Sequence, residues 1–349
     1  MPVHPITEIL RKALTRLYGP ERAHRGLIKF GRGVHAFKRA MPGLSPCRQV
    51  FFISGFPRSG TNWVCNLLNL HPQIYTTGEY HFYRLRRSVN YYTQHDWEAI
   101  HNPRLLPKVY EGLQHTIERV LLESSTAMRP FATVLGDRSP GPLELILPGA
   151  KSFWIVRDGR DVAVSWTFHM LRMPQAAFDT QVPAVAMDHF QKLRQAFVAD
   201  PQHFSKHPQQ LLDDAGTVEW IANDWAMRCR DDAATLDRLG NAAADVLPII
   251  YEELHADLQG NLDRMYRFLG VEPSKAEAPS EATRTLPGFK NENPLSHYRS
   301  GRAKAWAKYF GETARRVFHE QAGDVLIAKG YETNDDWVGA AAPVQTEQH

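Results

Sequence analysis

The chain predicts an α/β fold: three layers, with helices on both faces of a central, mainly parallel sheet. The first observation is alternation. Strand-like runs at 50–54, 132–136, 151–156 and 246–251 are interleaved with helical ones at 60–70, 109–123, 159–172, 217–238 and 255–269. The second is the composition of the strands: Val50, Phe51, Phe52 and Ile53 form a short β-branched and aromatic run, as a central parallel strand requires. The third is size. A chain of 349 residues with 43% hydrophobic content can bury one large core, or one core with a small appendage.

Residues 1–47 read as a basic N-terminal arm. Positions 1–49 hold ten Lys/Arg and two Asp/Glu, the remainder 31 and 36, so the net +3 divides into about +8 and −5. Ile6, Ile9, Leu10, Ala13, Leu14 and Leu17 line one face of a helix, with Arg11, Lys12 and Arg16 off it. Two readings stand for this helix at 6–18. Its apolar face docks on the body or on a second subunit, giving a homodimer, or it makes a peripheral contact with an anionic membrane. Docking is the favoured one.

The run Gln49 to Pro72 is a strand, an anion loop and a helix. Gly55 and Gly60 bracket Phe56-Pro57-Arg58-Ser59, so the backbone can turn sharply and present its N–H groups. Trp63, Val64, Leu67, Leu68 and Leu70 recur at helical spacing until His71-Pro72. A helix N-terminus fed by such a turn attracts anions, and Ser59, Thr61 and Asn62 add side-chain donors. A nucleotide-hydrolysing P-loop places Lys then Ser/Thr after its second glycine; here Thr61-Asn62 follows Gly60 and the cation comes earlier, at Arg58. The loop is therefore not built for magnesium and a γ-phosphate.

Further along, Phe153 to Val156 form a second buried strand ending at Arg157, and Asp158-Gly159-Arg160 turns into a helix bearing Ser165. An Arg at a strand's carboxyl end and a Ser one or two turns into the next helix can converge on one phosphate. The plainer alternative is that Arg157 pairs with Asp158 or Asp161 as a surface bridge.

Taken together, these two segments resemble the sulfotransferases that use 3′-phosphoadenosine 5′-phosphosulfate (PAPS). Arg58-Ser59-Gly60-Thr61 matches the family's 5′-phosphosulfate loop, and Arg157 with Ser165 matches its 3′-phosphate motif. The resemblance implies the P-loop-like sulfotransferase fold over residues 48–333, PAPS as sulfuryl donor, and no metal. It extends to Tyr298 to Phe310, where Arg299 and Gly301 fall on positions that contact the 3′-phosphate, and Ser300 stands where a basic residue often does. Tyr251-Glu252-Glu253 resembles the segment beside the adenine, and Trp63 falls on a position whose ring stacks on that base in part of the family. Core packing is the alternative for both rings.

Sulfuryl transfer needs positive charge and a base. Arg58 cannot realistically lose its proton at neutral pH, so it acts as a fixed cation and donor. Arg138, in Gly136-Asp137-Arg138-Ser139-Pro140, falls on the motif that delivers a basic residue or a histidine to the sulfuryl site. Aligning on Pro140 puts Arg138 where the animal cytosolic branch has its catalytic His, so the chain departs from that branch. Its loop and His71 to Phe82 look more like the tyrosylprotein and bacterial sulfotransferases, in which the glutamate of a Gly-Glu pair is the base. That glutamate maps to Glu79, and His81 is its rival. An ion pair that merely orders Arg58 or Arg138 is the other reading of Glu79.

The acceptor is not specified by any motif. Tyr80 to Trp97 is rich in aromatic and basic residues, which suits a pocket wall for an amphipathic or anionic alcohol and equally an ordinary amphipathic helix. Met173 to Thr217, with four prolines, reads as a lid. A lipid, glycan, small alcohol or phenol, or peptide hydroxyl fits, and no nucleic-acid partner is expected. Three cysteines without a CxxC pair point to reduced thiols in a cytoplasmic, or membrane-peripheral, protein. Residues 334–349 read as a disordered tail. Two competing classes are a P-loop-type nucleotide kinase and a non-catalytic nucleotide-binding or scaffold protein.

Overall fold

The computed structural model describes residues 47, 49–96, 101–102, 104–126, 128–280, 293–296 and 302–339. The basic arm with the helix expected at 6–18, and Arg299, Ser300 and Gly301, lie outside the described residues, as does the tail beyond 339. Five strands form one sheet: β1 (Gln49–Gly55), β2 (Ile74–Gly78), β3 (Val134–Arg138), β4 (Lys151–Val156) and β5 (Val246–Ile250). Their order is β2-β3-β1-β4-β5. β1 runs parallel to β3 and β4, and β2 runs parallel to β3, as the mainly parallel sheet requires. The helices are α1 (Thr61–Leu68), α2 (Phe82–His95), α3 (Leu105–Thr126), α4 (Gly159–Arg172), α5 (Gln175–Gln181), α6 (Ala184–Ala199), α7 (Ala215–Leu239), α8 (Tyr251–Ala256), α9 (Leu258–Phe268) and α10 (Glu312–Ala328).

Two compact units make up the fold. The first comprises residues up to 55, 60–155 and 239–279, and holds all but the last residue of β4 within its sheet. Successive strand side chains point to opposite faces, so an unbroken apolar run must be covered on both. Val50, Phe52 and Leu135 meet Leu113, Ile117 and Leu121 of α3. On β1 and β4, Phe51 packs edge-on against Phe153 at 5.8 Å, and Phe153 against Phe268 of α9 at 5.4 Å. Tyr266 Oη donates to Leu67 O at 2.9 Å and locks α9 to α1.

The second unit comprises residues 56–59, 156–238 and 280–349. Its core gathers Phe168, Phe178, Phe190, Trp225, Tyr309 and Phe318. Arg160 is buried within it, donating to both oxygens of Asp158 at 3.0 and 2.8 Å and to Glu332, with its guanidinium over the Trp306 ring at 3.8 Å. Burial alone would push this guanidinium's pKa down; Asp158 and Glu332 outweigh it and raise the pKa. Such a fully paired charge is structural.

Three departures from the sequence reading have local causes. β2 was not foreseen, being a five-residue strand at the end of the sheet order. It is pinned there by Asn69, whose side chain accepts from Thr76 N at 2.9 Å and donates to Thr76 O at 2.8 Å. The single helix expected at 255–269 is two, because Asp257 accepts from Gly260 N at 2.9 Å and starts α9 afresh. The stretch read as a lid over 173–217 is largely helical. Pro174 and Pro183 stand at the N-caps of α5 and α6, where a missing N–H breaks no intrahelical bond.

Candidate active site

Register brings the carboxyl ends of the strands to one edge of the sheet. Ile53 and Gly78 both pair with Arg138, and Gly55 pairs with Ile155. Open parallel sheets bind ligands at this edge. From it the chain continues into the loop after β1, into Glu79 after β2, and into Arg157 after β4.

The loop after β1 has the features of an anion cradle. Gly60 is the N-cap of α1 at φ 99°, no side chain caps that helix, and its first turn carries no acid. No acid in that turn offsets the positive end of the helix dipole. Ser59 is 1% exposed, and its Oγ has no hydrogen-bond partner among the described residues. A buried hydroxyl without a partner is costly unless a ligand completes it. A Cβ at Gly60 would lie 2.5 Å from the Tyr251 ring, in a backbone conformation that side chains rarely adopt. Gly60→Ala should therefore destabilise the fold by about 1–3 kcal/mol and weaken anion binding, read by thermal unfolding and nucleotide titration. An unchanged midpoint and affinity would show that the ring does not constrain the loop.

Within the second unit, Arg58 Nε donates to Ser165 Oγ at 3.3 Å. Arg157, 7% exposed, donates from Nη1 to Arg58 O at 3.1 Å and from Nη2 to Arg302 O at 3.3 Å. The loop's cation and both residues of the second motif are thus brought together. The bridge considered for Arg157 forms with Asp161, in the interior rather than on the surface. Asp158 instead pairs with Arg160, while Asp161 accepts from the N–H groups of Lys304 and Trp306 at 2.8 Å each and stands 3.9 Å from Arg157 in the interior.

Within the first unit, Arg138, the last residue of β3, donates from Nη1 to Glu79 Oε1 at 2.6 Å. Glu79 is 49% exposed and Arg138 is 12% exposed, so the carboxylate is reachable while its partner is held. Glu79 N donates to Arg138 O at 3.1 Å, Tyr80 N to Asp137 Oδ1 at 3.1 Å, and His81 N to Ser139 Oγ at 2.8 Å. Ser139 in turn donates to Asp137 Oδ2 at 2.7 Å. Burial raises the Asp137 carboxyl's pKa, with the Ser139 hydroxyl and the Tyr80 N–H opposing it. Glu79 and His81 both take positive φ, 69° and 53°. Among the described residues only Arg58 and Lys304 also do so without being glycine. Three of these four strained positions are candidate site residues. Strain of this kind persists where the surroundings over-determine it, commonly at functional sites.

Trp63 and Tyr251, each 3% exposed, pack together with ring centroids 5.5 Å apart. The His255 ring lies 4.5 Å from Trp63 and 4.9 Å from Tyr251. The two predicted rings therefore share one buried cluster, with Tyr251 directly under Gly60.

A sulfotransferase domain model matches residues 48–329. The chain belongs to the sulfotransferase family. Solved structures with a similar fold include a mouse sulfotransferase, SULT7A1, complexed with PAP, at 16% identity and a TM-score of 0.44, covering 84% of this chain and 90% of that one. A sulfotransferase from Alicyclobacillus acidocaldarius matches at 18% identity and a TM-score of 0.39, covering 83% and 99%. Sulfotransferase STF9 from Mycobacterium avium matches at 15% and 0.38, covering 93% and 87%. No curated protein sequence matches the chain significantly.

Some residues that organise this sulfotransferase's candidate site were given no site role from sequence. Asp137 orders the turn carrying Glu79 and His81, and Asp161 ties α4 to residues 304–306. Both sit inside quoted motifs, one residue before Arg138 and four after Arg157, which is the signal that was available. His255 gave none. Among the described residues no group of three or more His, Cys, Asp or Glu is placed to hold a metal, and no helix is long and apolar enough to cross a membrane. No disulfide joins any of the three cysteines.

Proposed function

We propose that this sulfotransferase moves the sulfuryl group of PAPS to a hydroxyl oxygen, with Glu79 as the base. The observation that carries the donor reading is the loop itself: a buried Ser59 hydroxyl without a partner among the described residues, followed by the positive-φ glycine that starts α1. Arg58, Ser59, Gly60, Thr61 and Asn62 are assigned to the donor's 5′ end, Arg157 and Ser165 to its 3′-phosphate, and Trp63 with Tyr251 to the adenine. Arg299, Ser300 and Gly301 complete the 3′-phosphate assignment from the family motif. When bound, PAPS supplies an activated sulfuryl group that passes between oxygens without redox change. Arg58 neutralises charge on the leaving oxygen as a fixed donor, and Arg138 holds Glu79 in position. The Glu79 carboxylate takes the acceptor's proton. Its exposure supports this role over His81, whose Nδ1 is buried without a hydrogen-bond partner among the described residues.

The acceptor proposed is an amphipathic or anionic alcohol or phenol, free or carried on a lipid, glycan or peptide. α2, which begins three residues after Glu79, supports this by exposing Leu85, Tyr91 and Tyr92. A cytoplasmic setting, with docking of residues 6–18 on the body, on a second subunit or on a membrane, belongs to the same proposal. Adenosine 3′,5′-bisphosphate at a hundredfold excess over its Kd should stabilise the protein by about 2.7 kcal/mol, while ATP with magnesium should leave its melting temperature unchanged. The reverse pattern would favour the nucleotide-kinase reading, and stabilisation without turnover of PAPS on any hydroxyl panel would favour the non-catalytic one.

A further inference from the structure

Within the second unit, a cavity of about 310 Å³ opens beside the loop after β1. That volume lies at the lower end of the range for small-molecule sites. Phe56, Trp166, Trp220 and Ile221 form its apolar wall, with the Phe56 and Trp166 rings 6.3 Å apart. Trp220 is fixed from behind by Phe190 at 6.1 Å, and its side chain is hydrogen-bonded to Asp224. Asp224, Met227 and Asp231 are exposed at the rim. Arg228 also lines the cavity, and its Nη1 is buried with no hydrogen-bond partner among the described residues.

We propose that this cavity binds a planar aromatic carboxylate, and that its occupancy acts on the donor loop through Phe56 and Pro57. The flat aromatic wall selects a ring system, since aromatic pairs gain from offset and edge contacts beyond area burial. The buried Arg228 N–H selects an anionic acceptor: an unsatisfied buried donor is costly, and a hydrogen bond to a carboxylate is about twice as strong as a neutral one. Of the two rim carboxylates, Asp231 is exposed and its charge is screened by water. Asp224 is partly desolvated, is held by Trp220 and offsets part of the Arg228 charge without accepting from its Nη1. The buried, unsatisfied group decides the sign. Phe56 and Pro57 line the cavity and run directly into Arg58, so a ligand against them bears on the cation's backbone. This second half rests on the sulfotransferase reading of the loop.

Three probes sharing one ring system test the proposal on the full chain by calorimetry: 2-naphthoate, 2-naphthylmethanol and 2-naphthylmethylamine. Naphthoate should bind about tenfold or more tighter than either of the others. Arg228→Met should erase that preference, Trp220→Ala should weaken all three, and Asp231→Asn should leave naphthoate binding intact or tighter. An amine that binds as tightly as naphthoate, no saturable naphthoate binding, or an undiminished preference in a folded Arg228→Met variant would overturn the site. Adenosine 3′,5′-bisphosphate should change the naphthoate Kd by about threefold or more, with the reciprocal change in its own Kd. Equal affinities would remove the link to the loop. Failure of the bisphosphate to bind at all would instead sink the donor reading, and the loop link with it, while leaving the naphthoate result standing.

Discussion

Replacing Arg58 with alanine is expected to reduce sulfuryl transfer by about 10³-fold, the upper scale for loss of one preorganised donor at a developing charge. Adenosine 3′,5′-bisphosphate should still bind, because Ser59, Gly60 and the N-terminus of α1 remain. The substitution also removes the donor to Ser165 Oγ. Ser165 lies within α4, whose burial does not depend on that contact, so the fold should persist. Arg58→Lys retains the charge but not the planar fork, and should recover part of the rate. Single-turnover transfer from labelled PAPS, paired with bisphosphate calorimetry, separates chemistry from binding. Full activity in the alanine variant would refute the assignment.

Glu79→Gln is expected to lower turnover by about 10²-fold, the scale of losing a general base. The amide keeps its carbonyl oxygen as an acceptor for Arg138 Nη1, so the pairing that orders Arg138 survives in neutral form. A role limited to ordering Arg138 would thus be largely rescued by glutamine, whereas a base would not. An unchanged rate would remove Glu79 as the base and pass the role to His81, to be tested as His81→Gln.

Much of this was readable from residue type and spacing. The apolar runs located four of the five strands, and the glycines at 55 and 60 located the anion loop, because those signals are local. The helix at 159–172 matched to the residue, its start marked by Asp158, which accepts from Arg160 N. What was not legible depends on distant partners. β2 is placed by Asn69 and by β3, so its five residues alone carry too little pattern. Prolines at 174 and 183 look the same in a loop and at a helix start until the following turn is packed. At the site, the positive φ of Arg58 and Glu79 has no signature, since neither is glycine, asparagine, aspartate or histidine, and only His81 is of a type enriched there. Nor does spacing reveal that Asp158 belongs to Arg160 rather than to Arg157.

Asp161 has a consequence for how the molecule is made. Its carboxylate is satisfied by two backbone groups 143 and 145 positions downstream. During synthesis the start of α4 emerges long before either exists, and a buried acid cannot settle without its donors. That turn therefore stays solvated until residues 304–306 have left the ribosome, and competence to grip the nucleotide arrives late.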